Sequence, residues 1–296
     1  MAKKKYTNHS EYLPLESVLL SPVAPAFESS QKLKSQWRQL NYLEEPALEE
    51  AISEYEAFTD ILDNEGVKFQ FLPGAKQLSL DSVYCRDASI ATDHGMIICR
   101  MGKEARLGEP EIHKWYYHTH EIPILGEIKA PGTLEGGDVA WIDSNTLAVG
   151  QSYRTNTEGI KQLRVMLSAH QVNILEVDLP HFKGPNDVFH LMSVFSPVDK
   201  DLAVVYSPLL PIRFRNELLN RGYLLVEVPD DEFMTMGCNV LAIAPRKCIM
   251  LRGNPITEKE LISAGCTVLS YDGLEISLKG GGGPTCLTRP ISRRSG

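Results

Sequence analysis

The sequence contains no apolar run approaching the roughly 18 residues of a membrane span, no CxxC pair, no clustered basic charge beyond Lys3 to Lys5, and no GK[ST] ending on its glycine-rich stretches. The first absence excludes a helical membrane protein. The N-terminal stretch MAKKKYTNHSEYLPL has lysines with no apolar segment behind them, so it does not read as an export signal, and a soluble, cytoplasmic chain is expected. The second bears on the six cysteines, Cys85, Cys99, Cys238, Cys248, Cys266 and Cys286, none of which has a histidine at zinc-finger spacing. A chain of 296 residues needs no disulfide staples, and reduced thiols, most of them in the core, are expected. A net charge of -8 argues against nucleic acid as a partner, the basic run Lys3 to Lys5 reading as a solvated tail. The last absence removes a phosphate loop: Gly280 to Gly283 lead through Pro284 and Thr285 into the strand-like CLTRPI rather than into a helix.

What is present is an ordinary globular composition, 43% hydrophobic and 23% charged, read as one domain over 1–296. From about residue 136 one pattern recurs: strand, turn, strand, amphipathic helix, closing strand. The first copy turns at "DSN" and has helical periodicity from Thr157 to His170. The second turns at "PVDKD", with Gly222 just beyond its helix, and the third turns at "APRK", with Thr257 expected as helix N-cap and Gly265 as the stop. An earlier copy opens near Asp87. The polar residues that open the copies, Asp87, Asp138, His190, Asn239 and Cys286, are spaced 51, 52, 49 and 47 residues apart, a repeat of about 50. The last copy has too little chain after Cys286, and the N-terminal region supplies the remainder: a strand in ESVLLSPVAPAF, a helix over Pro46 to Asn64 and a strand in VKFQFL. Five ββαβ units then close into a ring with the openers around one axis.

Those openers include acids, a histidine and a cysteine. A thiol is the best side-chain nucleophile near neutral pH once cationic or dipolar neighbours lower its pKa. A lone histidine on an apolar strand such as VFHLMSVF is usually a core residue, but His190 shares the phase of Cys286, which favours a general acid and base. Glu135 and Asp138 in TLEGGDVAW, with Asp87 in SVYCRDASI, place several carboxylates on the same rim. Carboxylates recognise a planar guanidinium in forked geometry, so acids around a Cys and His pair point to attack on a guanidinium or amidine carbon. The four glycines read as a loop that lets backbone approach a substrate and deliver the thiol.

The motifs DSVYCRD, EGGD, SYRTN, FHLMS and GGGGPTC, in this order and spacing, make the chain resemble the guanidino-group-modifying enzymes of the pentein superfamily, the five-bladed α/β propellers, over nearly its whole length. It is similar in particular to dimethylarginine dimethylaminohydrolases and arginine deiminases. The resemblance implies that Asp87 and Glu135 hold the guanidinium, that Cys286 attacks it through a covalent thiouronium with His190 as acid and base, and that no metal or organic cofactor takes part. It further implies that Arg106 and Arg154 bind a substrate α-carboxylate, each lying 19 residues after its acid, and that Asp81 is a further acid near the site.

Two departures leave the substrate open. The deiminases' aspartate two residues after the histidine is Met192 here, which favours a substituted nitrogen, whereas Arg86 beside Asp87 is closer to the deiminase pattern. Methylated arginine, arginine, citrulline and other guanidino compounds stay open, as do amidino transfer and a catalytically silent binding module. The outer helices of such a ring could also support a homodimer.

Overall fold

The computed structural model describes residues 6–295; the basic run Lys3 to Lys5 lies outside the described residues. Five small sheets stand around one axis. The first joins strands Ser89–Thr92, Gly95–Ile98 and Ile124–Glu127, and the second Val139–Asp143, Thr146–Gln151 and Asn173–Asp178. The third joins Phe195–Asp199, Leu202–Val205 and Leu224–Glu227, and the fourth Leu241–Ala244, Lys247–Leu251 and Thr267–Tyr271. In each, the first strand runs antiparallel to the second through a tight hairpin, and the second is parallel to the third through a crossover that carries a helix. This is the five-bladed α/β propeller that the repeat implied.

The fifth blade is shared between the chain ends. The C-terminal strand Thr288–Arg294 pairs antiparallel with Leu15–Leu20, which is parallel to Lys68–Phe71, and Tyr6–Thr7 adds a short edge. Closing the ring this way removes two open sheet edges that would otherwise template aggregation. The expected N-terminal strand is shorter than ESVLLSPVAPAF: it ends at Leu20, and Pro22 starts a single helical turn over Val23–Phe27.

Helix positions follow from caps and apolar spacing. In the second blade, Asn156 Oδ1 accepts the Gly159 N–H at 2.8 Å, and Ile160, Leu163 and Leu167 of Thr157–Ser168 face inward at steps of three and four. In the fourth, the helix starts at Pro255 rather than after Thr257, with Asn254 at the N-cap position. Thr257 lies inside the first turn because the buried Glu232 carboxylate accepts from the Ile256 and Thr257 N–H groups and the Thr257 hydroxyl, doing from a neighbouring segment what a local cap does elsewhere. Gly222 and Gly265 follow their helices with φ of 84° and 86°, the left-handed stop expected of them.

The inner strands are buried on both sides over most of their length, and the outer strands are partly buried to exposed. In the long helix Leu48–Asn64, Phe58 is fully buried against Tyr271, ring centroids 5.0 Å apart, tying the N-terminal part of the fifth blade to the fourth. Phe58→Ala should therefore lower the unfolding free energy in urea titration by about 3–5 kcal/mol. Val165→Ala, at a position 68% exposed, should change it by less than about 0.5 kcal/mol.

Candidate active site

Each inner strand is preceded by a turn, and these turns meet at one end of the axis. Buried polar groups there must find partners, and the opening residues find them on the next blade. Asp87 Oδ1 accepts the Gly137 N–H at 2.9 Å, Asp138 Oδ1 accepts the Leu191 N–H at 3.0 Å, and Asn239 Oδ1 accepts the Thr285 N–H and hydroxyl at 3.0 and 2.9 Å. The Arg86 N–H closes the circle on the Cys286 carbonyl at 3.2 Å.

A pocket opens over these turns. Cys286, His190, Asp87, Asp81, Arg106, Arg154 and Asn239 line it, with Met192 and an apolar wall of Phe182, Phe189, Phe233, Met234 and Met236. Cys286 is the one cysteine of six that is not buried. Its thiol takes the Asn239 amide at 3.5 Å and lies 3.8 Å from the Thr285 hydroxyl. Burial and then the Asp87 charge push the thiol pKa up, against the pull of Thr285, Asn239 and Arg86, so the pocket as it stands favours the thiol over the thiolate. The glycine run that delivers it packs its bare backbone on two side chains. A Cβ at Gly280 would sit 2.0 Å from the Tyr84 hydroxyl and one at Gly283 2.6 Å from the Asn239 amide, while Gly281 has φ of 77°.

His190 Nε2 is 2.8 Å from Glu135 Oε2, and its Nδ1 is 3.9 Å from Asp87 Oδ1. Burial alone would lower the imidazole pKa; Asp87, Asp138 and Glu135 outweigh it and raise the pKa, so His190 is an imidazolium at neutral pH. Glu135 shifts the opposite way: burial disfavours its charge, and the His190 hydrogen bond with the His190, Arg106 and Arg154 charges holds it ionised. Its other oxygen accepts the N–H groups of Gly102 and Lys103 at 2.9 and 3.1 Å, which anchors it to the first blade.

Two of the expected substrate-facing acids stand behind the pocket rather than on its wall. Glu135 is fully buried behind the imidazole, and Asp138 spends its oxygens on Leu191 N–H and, at 2.6 Å, on the Ser152 hydroxyl. EGGD looks in sequence like two acids side by side, but the turn at Gly136–Asp138 points them at different neighbours. Both arginines do reach the pocket, each three residues ahead of its blade's helix. Arg106 is heavily engaged: Nε and Nη2 each meet Glu109 at 2.8 Å, Nη2 also the Tyr84 carbonyl at 2.8 Å, and Nη1 Asp87 Oδ2 at 2.5 Å. Arg154 is looser, with Nη1 3.8 Å from Glu135, Nη2 on the Asp187 carbonyl at 3.3 Å and Nε without a partner among the described residues. Asp81 pairs with Lys103 Nζ at 2.6 Å.

Sequence reasoning missed Lys103, which sits on no repeat phase, and Glu109, whose spacing of three from Arg106 was a readable signal. It named Asn239 as an opener without a task; here Asn239 holds both the thiol and the turn that bears it. Among the described residues, Asp87, Glu135 and His190 are the group of three whose potential metal-ligating atoms lie within 4.8 Å of one another. In this structure those atoms are engaged with one another, with Arg106 and with backbone N–H groups. No helix of the described residues is long and apolar enough to cross a membrane.

Known proteins resemble this chain in sequence and fold. Uncharacterized protein YkgA of Bacillus subtilis (strain 168) is 31% identical over 243 residues, 82% of this chain and 80% of its own. The N(G),N(G)-dimethylarginine dimethylaminohydrolase of Pseudomonas aeruginosa is 26% identical over 248 residues, 84% of this chain and 91% of its own. A solved structure of that organism's DDAH, a cysteine-to-serine mutant complexed with citrulline, matches with a TM-score of 0.76 and 23% identity over 94% of this chain and 99% of that one, a likeness of fold. The family model described as N,N dimethylarginine dimethylhydrolase, eukaryotic, matches residues 26–293. That span takes in the first four blades whole and every pocket residue named above, so the chain belongs to the dimethylarginine dimethylaminohydrolase family.

Proposed function

We propose that the protein hydrolyses the guanidino group of an N-methylated arginine. The observation that carries this reading is the convergence of Cys286, the sole cysteine not buried, with the Asp87 carboxylate and the His190 imidazolium in one pocket that also presents Arg106, Arg154 and an apolar stretch of Phe182, Phe189, Met192 and Phe233.

Asp87 receives the guanidinium and sets its central carbon over the sulfur. The cation also offsets the Asp87 charge that disfavours the thiolate, so substrate binding itself lowers the thiol pKa. The thiolate forms a bond to the central carbon, and the leaving nitrogen takes a proton from His190 as its bond to carbon breaks. Since Nε2 is committed to Glu135, Nδ1, lying against Gly137 and the pocket, transfers that proton. A thiouronium results. Water gives a proton to the now neutral His190 and attacks the same carbon; the carbon–sulfur bond breaks and a ureido product leaves with the thiol restored. Glu135 holds the ring throughout and stabilises its charge whenever it is protonated.

Arg154, with its spare Nε, and Arg106, through the Nη1 hydrogen that Asp87 leaves over, form the clamp for the substrate carboxylate. Met192 stands where a deiminase grips unsubstituted nitrogens, and beside Phe182 and Phe233 it offers methyl groups an apolar surface. This favours methylated arginine over arginine; citrulline as substrate and amidino transfer to an amine are the competing outcomes of the test. The protein is incubated with arginine, mono- and dimethylated arginines, citrulline, and arginine with glycine, and products are read by mass spectrometry beside Cys286→Ser. Citrulline and a methylated amine, formed by the native protein alone, are expected; equal turnover by the serine variant would end the assignment.

Geometry supplies two sharper expectations. A Cβ on Gly137 would lie 2.4 Å from His190 Nδ1 and 2.7 Å from Asp87 Oδ1, so Gly137→Ala should lower kcat by about a hundredfold while thermal unfolding shows a folded protein. Arg154→Ala should raise KM about ten- to hundredfold with kcat little changed, and Arg106→Ala, which also frees Asp87, should lower kcat as well. An unchanged KM in both would mean that the substrate carboxylate binds elsewhere or is absent.

The thiol pKa gives a pH test. Alkylation of Cys286 by neutral 2-chloroacetamide should rise with pH through the alkaline range, because burial and Asp87 hold the thiol protonated at neutrality. The cationic 2-chloroacetamidine should react much faster at pH 7, since its positive charge offsets that of Asp87. Equal rates for both reagents at pH 7 would remove substrate-assisted ionisation.

A further inference from the structure

Three arginines that the reaction does not use lie deeper along the axis than the pocket. Arg86, Arg289 and Arg293 are 1%, 5% and 1% exposed, and none lines the pocket. Arg289 Nη1 donates to the Ser89 carbonyl of the first blade at 2.7 Å, and Arg293 Nη1 to the Ala242 carbonyl of the fourth at 2.9 Å. The carboxylate whose charge they all feel is Glu11, carried in by the N-terminal segment: its Oε2 accepts from Arg86 Nη2 at 2.9 Å and its Oε1 from the Trp141 N–H of the second blade at 3.3 Å.

Charge and hydrogen bonding are both left unbalanced. Three cations face one carboxylate, while Asp87 and Glu135 at the mouth have close cationic partners of their own in Arg106 and His190. Five guanidinium nitrogens, Arg86 Nε and Nη1, Arg289 Nε, and Arg293 Nε and Nη2, are buried with no partner among the described residues. Proton loss does not relieve this. Burial, joined by mutual repulsion, pulls Arg289 and Arg293 down to about 10, which still leaves both charged at neutral pH. Uncompensated buried charge is strongly unfavourable. A water molecule would answer the hydrogen bonds but not the charge. A small spherical anion answers both, because it accepts N–H groups from several directions and brings a negative charge.

We propose that the interior of the ring is a halide site, in which one chloride-sized anion takes the free N–H groups of Arg86, Arg289 and Arg293 beside Glu11. The Glu11 carboxylate is a repulsive neighbour for it, whereas the Ser89, Leu13 and Ala242 carbonyls already accept from Arg289 and Arg293.

The test uses the full chain, transferred from halide into gluconate at constant ionic strength, with bromide as probe. A melting temperature that rises with bromide and saturates at millimolar concentration is expected, together with one anomalous-scattering peak among the three guanidinium groups in bromide-soaked crystals. Glu11→Gln removes the competing charge and should bind bromide about tenfold more tightly. Arg293→Met should abolish the saturable rise. Water at the site with equal melting in bromide and gluconate overturns the proposal, as does an unchanged response in Arg293→Met. A peak at molar bromide with no saturation in solution means an adventitious ion only and overturns it too. If Arg293→Met does not fold, Glu11→Gln decides: bromide affinity equal to that of the native protein counts against the site.

Discussion

The constraint on which the rest depends is that five strands enter one axis side by side, where polar side chains are cut off from water and must bond across blade boundaries. Asp87 answers it by holding the Gly137 turn, Asp138 by holding the Leu191 turn, and Asn239 by holding the turn that carries Cys286. Each bond fixes the angle between adjacent blades and at the same time aims the residue that does chemistry. Glu135 reaches furthest: from the second blade it accepts backbone N–H groups of the first and holds His190 of the third. Structural and catalytic roles are therefore hard to separate at the mouth, and a substitution there acts on both.

Electrostatics divides the axis into two layers. The mouth holds Asp87, Glu135 and Asp138 around one imidazolium, and burial with the Asp87 charge favours the thiol of Cys286 over its thiolate. Below lies the guanidinium cluster with Glu11. Arg86 and Asp87, neighbours in sequence within one turn, send their charges into opposite layers: Arg86 turns inward to Glu11 and Asp87 lines the pocket. The arginine that looked in sequence like a mark of deiminase chemistry thus belongs to the interior of the ring and says nothing about which nitrogen the substrate presents. The proposed preference for a substituted nitrogen rests instead on Met192, buried on the pocket wall.

Much of this was legible in the residues. A repeat of about 50 fixed the number of blades, since each ββαβ unit exposes an apolar face that only its neighbours can cover. The phase shared by Asp87, His190, Asn239 and Cys286 places them at one end of the axis. Hidden from sequence were the directions of side chains within the short turns. Glu135 and Asp138 went to partners on other blades, Thr257 yielded its capping role to Glu232 from outside its own blade, and Lys103 came to Asp81 through a loop without repeat phase. Each of these was set by a contact between segments distant in the chain.

By itself, then, the sequence determined the repeat, the closure of the last blade by the first segment, and the inventory of nucleophile, imidazole and carboxylates, because periodicity and residue chemistry are local properties that survive without neighbours. Only the tertiary structure decided which acids face the pocket, that Cys286 alone among the cysteines is not buried, and that three arginines meet one glutamate on the axis. Ionisation state and accessibility depend on the distance to charges and on exclusion of water, and neither exists until the ring has closed.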